Sequence, residues 1–582
     1  MQSRRAAQTH AEDSAYTDYN DLAYHDPGVI PTRLRCDRRR HMEGFGRGGV
    51  RWGVTVALLS VSVAAGWAQE QKESPKGAET HITPEQSKEL FRSVDEILQF
   101  ASKDSKLPIE HSVKRKLISR EQVTHFLMQK FEDDESTKRM ERSELVLKKF
   151  GLLDRDFHLR PFLVQLLTEQ IAGFYDDKTK TVNLLDWIEP DEQKPVLAHE
   201  LTHALQDQKV DLSKWSDVEV KGVAKNVRED NDHLQYDEGD TAREAVTEGQ
   251  AMVVYVDYSL RGTGKTLADA PELGDKLKDM TNDSGGSPVL SRAPLLLQES
   301  LLFPYGDGLS FEQSVLVKAG PEAAFNGVLA HPPSSSFEIM HPNAYMAHTP
   351  VPVLRMPDIH PLLDADYIPY DIGVMGELDV RILLELFGGQ QIATALAPEW
   401  KGGLYYAAQR KAATAEEKQQ TSSLGLIYYS KWANPDSARS FLRVYQAQLP
   451  RKYSGLMRRA KDEADGNEQV YSTSEGDVLL SVNGNGVFIA EGFDLPLARK
   501  LRDSIAEAQP QGPVQVAQEQ RADAPQSGEL TLSWARYLSS FGVMRAALRE
   551  SQAYMEPSSG RYTLERRPLF SSDSALHHSF TH

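Results

Sequence analysis

Two histidines four residues apart, with a glutamate directly after the first, are the side chains of this sequence best suited to chemistry. His199 and His203 belong to the run HELTH, in a segment whose apolar residues predict a helix. In a helix this spacing places both imidazole rings on one face, so that they can bind one metal ion. Glu200 lies about 100° further around the helix axis, where its carboxylate can reach a metal-bound water without becoming a ligand. The motif therefore predicts a hydrolytic metal site with Glu200 as the general base.

A third protein ligand is needed, because catalytic zinc usually has three of them and one open position. The next predicted helix, at about 241–258, carries Glu244 and Glu248 one turn apart on the same face. We favour Glu248, because the following Gly249 costs about 1 kcal/mol inside a helix and suits the close approach of another backbone. Glu244 remains the alternative.

The elements that must position these residues are predicted from local patterns. The turn-rich run 176–179 separates apolar runs at 171–175 and 181–185, which predicts a β-hairpin just before the motif helix. Apolar residues at helical spacing predict a helical N-terminal layer from Pro84 to about Gln170. The hairpin and the helices together should hold the motif.

The C-terminal part has a different pattern. The stretch 331–361 is rich in proline and predicts an extended connection without regular structure, and a smaller α+β module should follow. In this module the pattern predicts helices at 376–387, 435–447 and 495–508, a strand at 424–429 and a hairpin around 483–486. We therefore divide the chain into an upstream extension with a signal peptide at 1–68, a linker at 69–83, a first folded domain at 84–345, a Pro-rich connection at 346–370, a smaller module at 371–508, and a flexible linker and tail at 509–582.

Composition limits the class of protein. Lys and Arg number 66 against 84 Asp and Glu, and the net charge of −18 repels phosphate backbones, so we expect no nucleic-acid binding. Cys36 is the single cysteine, which excludes a disulfide framework and a cysteine-based zinc site. Any metal must therefore be bound by histidines and carboxylates.

The N-terminal segment of the chain has the pattern of a signal peptide, which predicts export. The apolar run Val54–Ala65 follows Arg47 and Arg51 and precedes small residues that suit cleavage after Ala68. The run is too short to cross a hydrocarbon core of ~30 Å as a helix. We expect a signal peptide at about 42–68, a periplasmic or secreted protein, and no stable membrane span after cleavage. The alternative is an uncleaved anchor.

Two segments of the predicted site resemble a known family. The run HELTHALQD at 199–207 resembles the zinc helix of gluzincins, the thermolysin-like class of metallopeptidases. The run EGQA at 248–251 is similar to the EGxA segment that supplies the glutamate ligand in several of them. Further stretches at 167–175, 303–305 and 334–345 resemble a group of exported bacterial proteins with a zincin core.

The resemblance implies an α+β fold, with a zincin-like metallopeptidase domain that has a helical N-terminal layer and is followed by the smaller α+β module. It also implies that His199, His203 and Glu248 are the ligands of a Zn²⁺ ion and that Glu200 is the catalytic base. Thermolysin itself has an acidic residue four positions after its glutamate ligand. That spacing would make Glu244 the ligand and Glu248 its partner.

We therefore expect an exported zinc metallopeptidase that cleaves a peptide or protein substrate with a zinc-activated water and Glu200 as general base. Tyr175 and His341 are the candidate oxyanion donors, with Tyr345 a further one, and Asp207 could orient His203. We expect an open cleft in which the hairpin edge binds an extended peptide. The alternatives are a non-catalytic, zinc-stabilised binding or scaffold protein and a metallohydrolase of non-peptide amides.

Overall fold

The computed structural model describes residues 81–509, apart from 131–133, 172, 216–222, 271, 275, 278–287 and 352. Helices and strands are mixed in this part of the chain, which confirms the α+β class. The predicted signal peptide, most of the predicted linker at 69–83 and nearly all of the predicted tail lie outside the described residues. No helix among the described residues combines the length and the apolar character that a membrane span requires.

The first part of the described chain is mainly helical, as predicted for 84–170. The first helix begins after Thr83, whose hydroxyl accepts a hydrogen bond from the main-chain N–H of Gln86 at 3.2 Å, while the Gln86 side chain bonds back to the Thr83 N–H. The helices are α1 (Pro84–Ser105), α2 (Arg120–Lys130), α3 (Asp134–Phe150), α4 (Leu159–Gln170), α5 (Pro190–Val210), α6 (Leu212–Trp215), α7 (Val227–Tyr236) and α8 (Gly239–Leu260).

A small sheet precedes the motif helix. Its strands are β1 (Lys114–Ile118), β2 (Phe174–Asp176) and β3 (Thr181–Leu185), in the order β1-β3-β2. The antiparallel pairing of β2 with β3 confirms the predicted hairpin, although its first strand begins later than the apolar run does. Strand β1, which the sequence pattern did not predict, adds in parallel to β3.

The segment after α8 is again helical. Its elements are short 3₁₀ helices (Arg261–Thr263, Leu267–Asp269 and Leu290–Arg292), α9 (Leu295–Ala319), a π-helix (Ala323–Gly327), α10 (Val328–Ala330), α11 (Ser336–Met340), α12 (Pro342–Met346) and α13 (His360–Leu363). The predicted absence of regular structure at 331–361 is therefore wrong in part. Pro342 and Pro361 lie in the first turn of α12 and α13, where the missing N–H of proline costs no helical hydrogen bond.

The C-terminal part contains a seven-stranded sheet. Its strands are β4 (Tyr367–Val374), β5 (Trp400–Arg410), β6 (Leu424–Trp432), β7 (Met457–Arg458), β8 (Glu468–Thr473), β9 (Gly476–Asn483) and β10 (Gly486–Phe493), in the order β4-β5-β6-β10-β9-β8-β7. The helices here are α14 (Glu377–Gly388), α15 (Gln390–Leu396), α16 (Pro435–Lys452) and α17 (Leu495–Ala508). The predicted strand at 424–429, the hairpin at 483–486 and helices α14, α16 and α17 are present.

Helices α8 and α9 approach each other closely because both carry glycine at the crossing. A Cβ atom at Gly249 would collide with the carbonyl group of Gly308, and a Cβ at Gly308 would collide with the carbonyl oxygen of Ala245. The close backbone approach that we predicted beside Gly249 is therefore confirmed. It fixes α8, and with it Glu248, against the neighbouring helix.

Candidate metal centre

Helices α5 and α8 bring three ionisable side chains together. The Nε2 atom of His199 lies 3.1 Å from Oε2 of Glu248 and 3.1 Å from Nε2 of His203. The third side of the triangle, from His203 Nε2 to Glu248 Oε2, is 3.5 Å. Among the described residues, this is the group of three or more His, Cys, Asp and Glu side chains whose ligand atoms lie close enough to hold one metal ion. The structure thus places Glu248, and not Glu244, beside the histidines.

The three separations fit a tetrahedral metal site. Ligands about 2.0–2.1 Å from zinc at tetrahedral angles lie about 3.3 Å from each other. The three observed distances bracket that value, and the donor set of two imidazoles and one carboxylate is one that zinc uses in hydrolases. The residues therefore fit a metal ion, which the fold would hold between two helices.

The group is enclosed. The exposed fractions are 5% for His199, 6% for His203, 2% for Glu200 and 0% for Glu248. In the described part of the chain, these four side chains are therefore enclosed and do not face the open cleft that we expected. Tyr305 of α9 contributes to the enclosure, since its ring stacks beside that of His199, with the centroids 6.2 Å apart and the planes inclined by 21°.

Burial and charge pairing together set the ionisation of the group. Burial alone would lower the pKa of His203, but the charge of Glu248 and a hydrogen bond to it raise that pKa to about 9. Burial alone would raise the pKa of Glu248, but His203 and His199 outweigh it and hold this pKa well below its usual range. Without a metal and at neutral pH, His203 is thus an imidazolium and Glu248 a carboxylate.

Glu200 lies on the same helix and is held by the hairpin. Its Oε2 accepts a hydrogen bond from the main-chain N–H of Tyr175 at 2.8 Å. Burial raises the pKa of Glu200, and the nearby His199 and His203 partly oppose this rise. The N–H of Tyr175 on β2 therefore fixes the carboxylate, and this group of the hairpin edge is not available to a peptide.

The predicted oxyanion donors have other partners in this structure. The hydroxyl of Tyr175 donates to Oδ2 of Asp207 at 2.7 Å, and burial, followed by Asp207, raises its pKa far above the usual value. His341 pairs with Glu377 at 2.8 Å. Tyr345 donates its hydroxyl to the carbonyl oxygen of His331 at 2.6 Å. None of these contacts links a predicted donor to the three metal-binding side chains.

The predicted role of Asp207 is wrong, because a different residue contacts His203. Asp207 accepts hydrogen bonds from Tyr175, from Lys180 at 2.8 Å and from the N–H of Leu212 at 3.1 Å. The Nδ1 atom of His203 instead lies 2.9 Å from Oε1 of Gln206. Asp207 therefore ties the motif helix to the hairpin.

Three residues near the metal group were not predicted. Gln206 and Gln250 are wholly buried polar side chains on α5 and α8, and Tyr305 is almost wholly buried on α9. Burial, then the carboxylates of Glu248, Glu244 and Glu200, raise the pKa of Tyr305 well above its usual value. The spacing of Gln206 three residues after His203 was the available signal, since such residues share a helix face. Tyr305 belongs to the run 303–305, which resembles zincin-core proteins, but no spacing in the sequence placed it beside the metal group.

Comparison of the chain with protein-family models, with curated proteins and with solved structures finds no match.

Proposed function

We propose that this protein is an exported, zincin-type zinc metallopeptidase. The observation that carries the proposal is the meeting of His199, His203 and Glu248 within one ligand sphere, with Glu200 one residue after the first histidine. A set of two histidines and a glutamate is typical of catalytic zinc in peptidases. The resemblance of the motif helix to gluzincins and the predicted signal peptide support the same assignment.

The residues of the chain have separate roles in this proposal. Zinc, when bound, supplies Lewis acidity, which polarises a substrate carbonyl and acidifies a water molecule. His199, His203 and Glu248 would hold it, two from α5 and one from α8. Glu200 takes up a proton at Oε1, while the N–H of Tyr175 holds Oε2 at 2.8 Å and keeps the carboxylate in one orientation.

The enclosure of the site favours a second candidate function. Structural zinc sites are closed, whereas catalytic sites keep a position for water or substrate. The exposed fractions of at most 6% for the three metal-binding side chains therefore also suit a zinc-stabilised binding or scaffold protein. For hydrolysis, a substrate must gain access past neighbouring side chains such as Tyr305.

The substitution Glu200→Gln separates these functions. We expect the variant to keep its zinc content and fold, because Glu200 is not a ligand, and to lose about 10²–10⁴-fold in the rate of peptide cleavage. Cleavage is measured with a peptide library at neutral pH, with zinc content determined by metal analysis. The control Glu96→Gln makes the same charge change on an exposed position of α1 and should cleave as the parent does.

Each outcome of this test assigns a function. Loss of cleavage in Glu200→Gln, with cleavage kept in Glu96→Gln, supports the assignment as a peptidase. Equal cleavage by the variant and the parent would show that Glu200 is not the base. A parent that binds zinc but cleaves neither peptides nor other amides would be a zinc-stabilised binding protein, and one that cleaves only non-peptide amides would be a metallohydrolase of that class.

A further inference from the structure

Two buried glutamines connect the metal group to the main chain of a neighbouring segment. The Nδ1 atom of His203 lies 2.9 Å from Oε1 of Gln206. The Nε2 atom of Gln206 donates to Oε1 of Gln250 at 2.9 Å and to the carbonyl oxygen of Thr247 at 3.0 Å. Gln250 in turn donates from Nε2 to the carbonyl oxygens of Ala324 and Phe325, at 2.9 and 3.1 Å.

The direction of these hydrogen bonds is fixed at the main-chain end. Carbonyl oxygens only accept, so the NH₂ group of Gln250 must face the π-helix at 323–327, and its oxygen must face Gln206. The NH₂ group of Gln206 is then set by two acceptors, Gln250 Oε1 and the Thr247 carbonyl. Its oxygen is left facing His203, with no freedom to exchange places with the nitrogen.

This orientation determines the tautomer of neutral His203. Because Gln206 Oε1 accepts, the Nδ1 atom of His203 must carry the hydrogen, and the lone pair is on Nε2. Nε2 is the ring atom that lies 3.1 Å from Nε2 of His199 and 3.5 Å from Oε2 of Glu248. The hydrogen-bond chain thus presents the metal-binding atom of His203 to the other two donors.

We infer that Gln206 and Gln250 are positioning residues, which hold His203 in its metal-binding tautomer and thereby set the affinity of the site for zinc. The inference rests on the proposed metal centre. It does not depend on whether the centre hydrolyses a substrate. Partners of this kind typically contribute 10–100-fold to metal affinity. Both side chains are wholly buried, so water does not readily replace either one as a partner.

The test is Gln206→Met, which keeps the approximate size of the side chain and removes its amide. We expect the affinity for Zn²⁺ alone, measured by competition with a chromophoric chelator at one pH, to fall about 10–100-fold. Gln250→Met should cause a smaller loss, because the Thr247 carbonyl still accepts from Gln206.

Gln208→Met is the matched control on the same helix. Gln208 also makes three hydrogen bonds, to the main-chain N–H groups of Glu110 and His111 and to the carbonyl oxygen of His111, but none to the metal group. Its zinc affinity should equal that of the parent. Circular dichroism of each variant without zinc checks that the fold is kept.

A second measurement uses the parent protein and so does not depend on the folding of a variant. Nitrogen-15 NMR of the zinc-loaded protein should show His203 protonated at Nδ1 and metal-bound through Nε2, with the signal identified by its loss in His203→Gln. The opposite tautomer would overturn the inference. So would an unchanged zinc affinity in folded Gln206→Met. Failure of the parent itself to bind Zn²⁺ would instead overturn the metal centre, and this positioning role with it.

Discussion

His203 is held by opposing groups at its two ring nitrogens. Glu248 and His199 lie at Nε2, and Gln206 lies at Nδ1. Without a metal, the carboxylate of Glu248 favours the doubly protonated ring, which raises the pKa of His203 to about 9 in spite of its burial. A metal ion must displace the proton on Nε2, so that metal and proton compete for one atom.

This competition predicts a pH dependence of metal binding. Below a pKa of about 9 the ring is protonated in the metal-free protein, while Glu248 stays ionised because its pKa is lowered. Zinc uptake should therefore release about one proton. The dissociation constant for zinc should rise about tenfold for each unit by which the pH falls from 8 to 6. Competition titrations at several pH values measure the slope. A dissociation constant that does not change over this range would contradict the assignment of His203 as a ligand.

At the residue scale, the sequence was sufficient to predict the site residues that the motif spacing defines. His199, Glu200 and His203 follow from the periodicity of one helix, and Glu248 from the glycine beside it. The hydrogen bonds of Tyr175 and His341 could not be predicted, because their partners Asp207 and Glu377 lie 32 and 36 residues away in the chain. Pairings over such distances depend on how the elements pack.

At the scale of elements, the crossing of α8 and α9 determines where Glu248 lies. Gly249 faces the carbonyl group of Gly308 with no room for a Cβ atom, and a Cβ atom would also lie 3.1 Å from Cγ of Glu312. An exposed helical glycine replaced by alanine normally gains about 1 kcal/mol in helix propensity. At Gly249 the steric conflict should turn this gain of stability into a loss.

We therefore predict that Gly249→Ala destabilises the protein by about 1–3 kcal/mol, the usual cost of overpacking, and weakens zinc binding because α8 shifts. Urea unfolding and zinc titration measure the two effects. Gly327→Ala is the control, because a Cβ atom there meets only ordinary contacts, at 3.7 Å or more. A gain of stability in Gly249→Ala would show that the two helices are not held together at this crossing.

The elements that the sequence did not predict have weak local signals. Strand β5 contains the adjacent glycines Gly402 and Gly403, and its pairing with β6 is irregular between Trp400 and Gly403. Strand β4 contains Pro369, which is unfavourable in most strands. Long-range pairing in the sheet overrides these signals, whereas α17, which has an amphipathic pattern and an Asp494 N-cap, could be predicted at both ends.

At the scale of the whole molecule, the helical layer and the seven-stranded sheet share a core. Phe150 of α3 packs edge-on against Tyr405 and Tyr428 of the sheet, with ring centroids 5.6 and 6.1 Å apart. Lys149, only 1% exposed, donates to Glu475 of the C-terminal part at 3.0 Å. These contacts cross the predicted connection at 346–370, so the two predicted domains are packed against each other.

The Lys149 contact predicts that the two parts unfold together. Burial lowers the pKa of Lys149, and the carboxylates of Glu475 and Glu491 oppose this change. In Lys149→Met, Glu475 stays buried with Arg155 and Thr421 as its remaining partners. We expect a loss of about 3 kcal/mol, near the lower end of the cost of breaking a buried ion pair.

The loss should appear as a shift of one cooperative urea transition, because a single core is being disrupted. Fluorescence of single-tryptophan proteins that keep either Trp187, beside the small sheet, or Trp432, in the large one, reports on each part separately. Lys88→Met, on an exposed position of α1, is the control and should leave the midpoint nearly unchanged. Two transitions with different midpoints, of which Lys149→Met shifts only one, would contradict this prediction. The segments 84–345 and 371–508 would then be independent folding units, and the contact between them would contribute little to the stability of the metal centre.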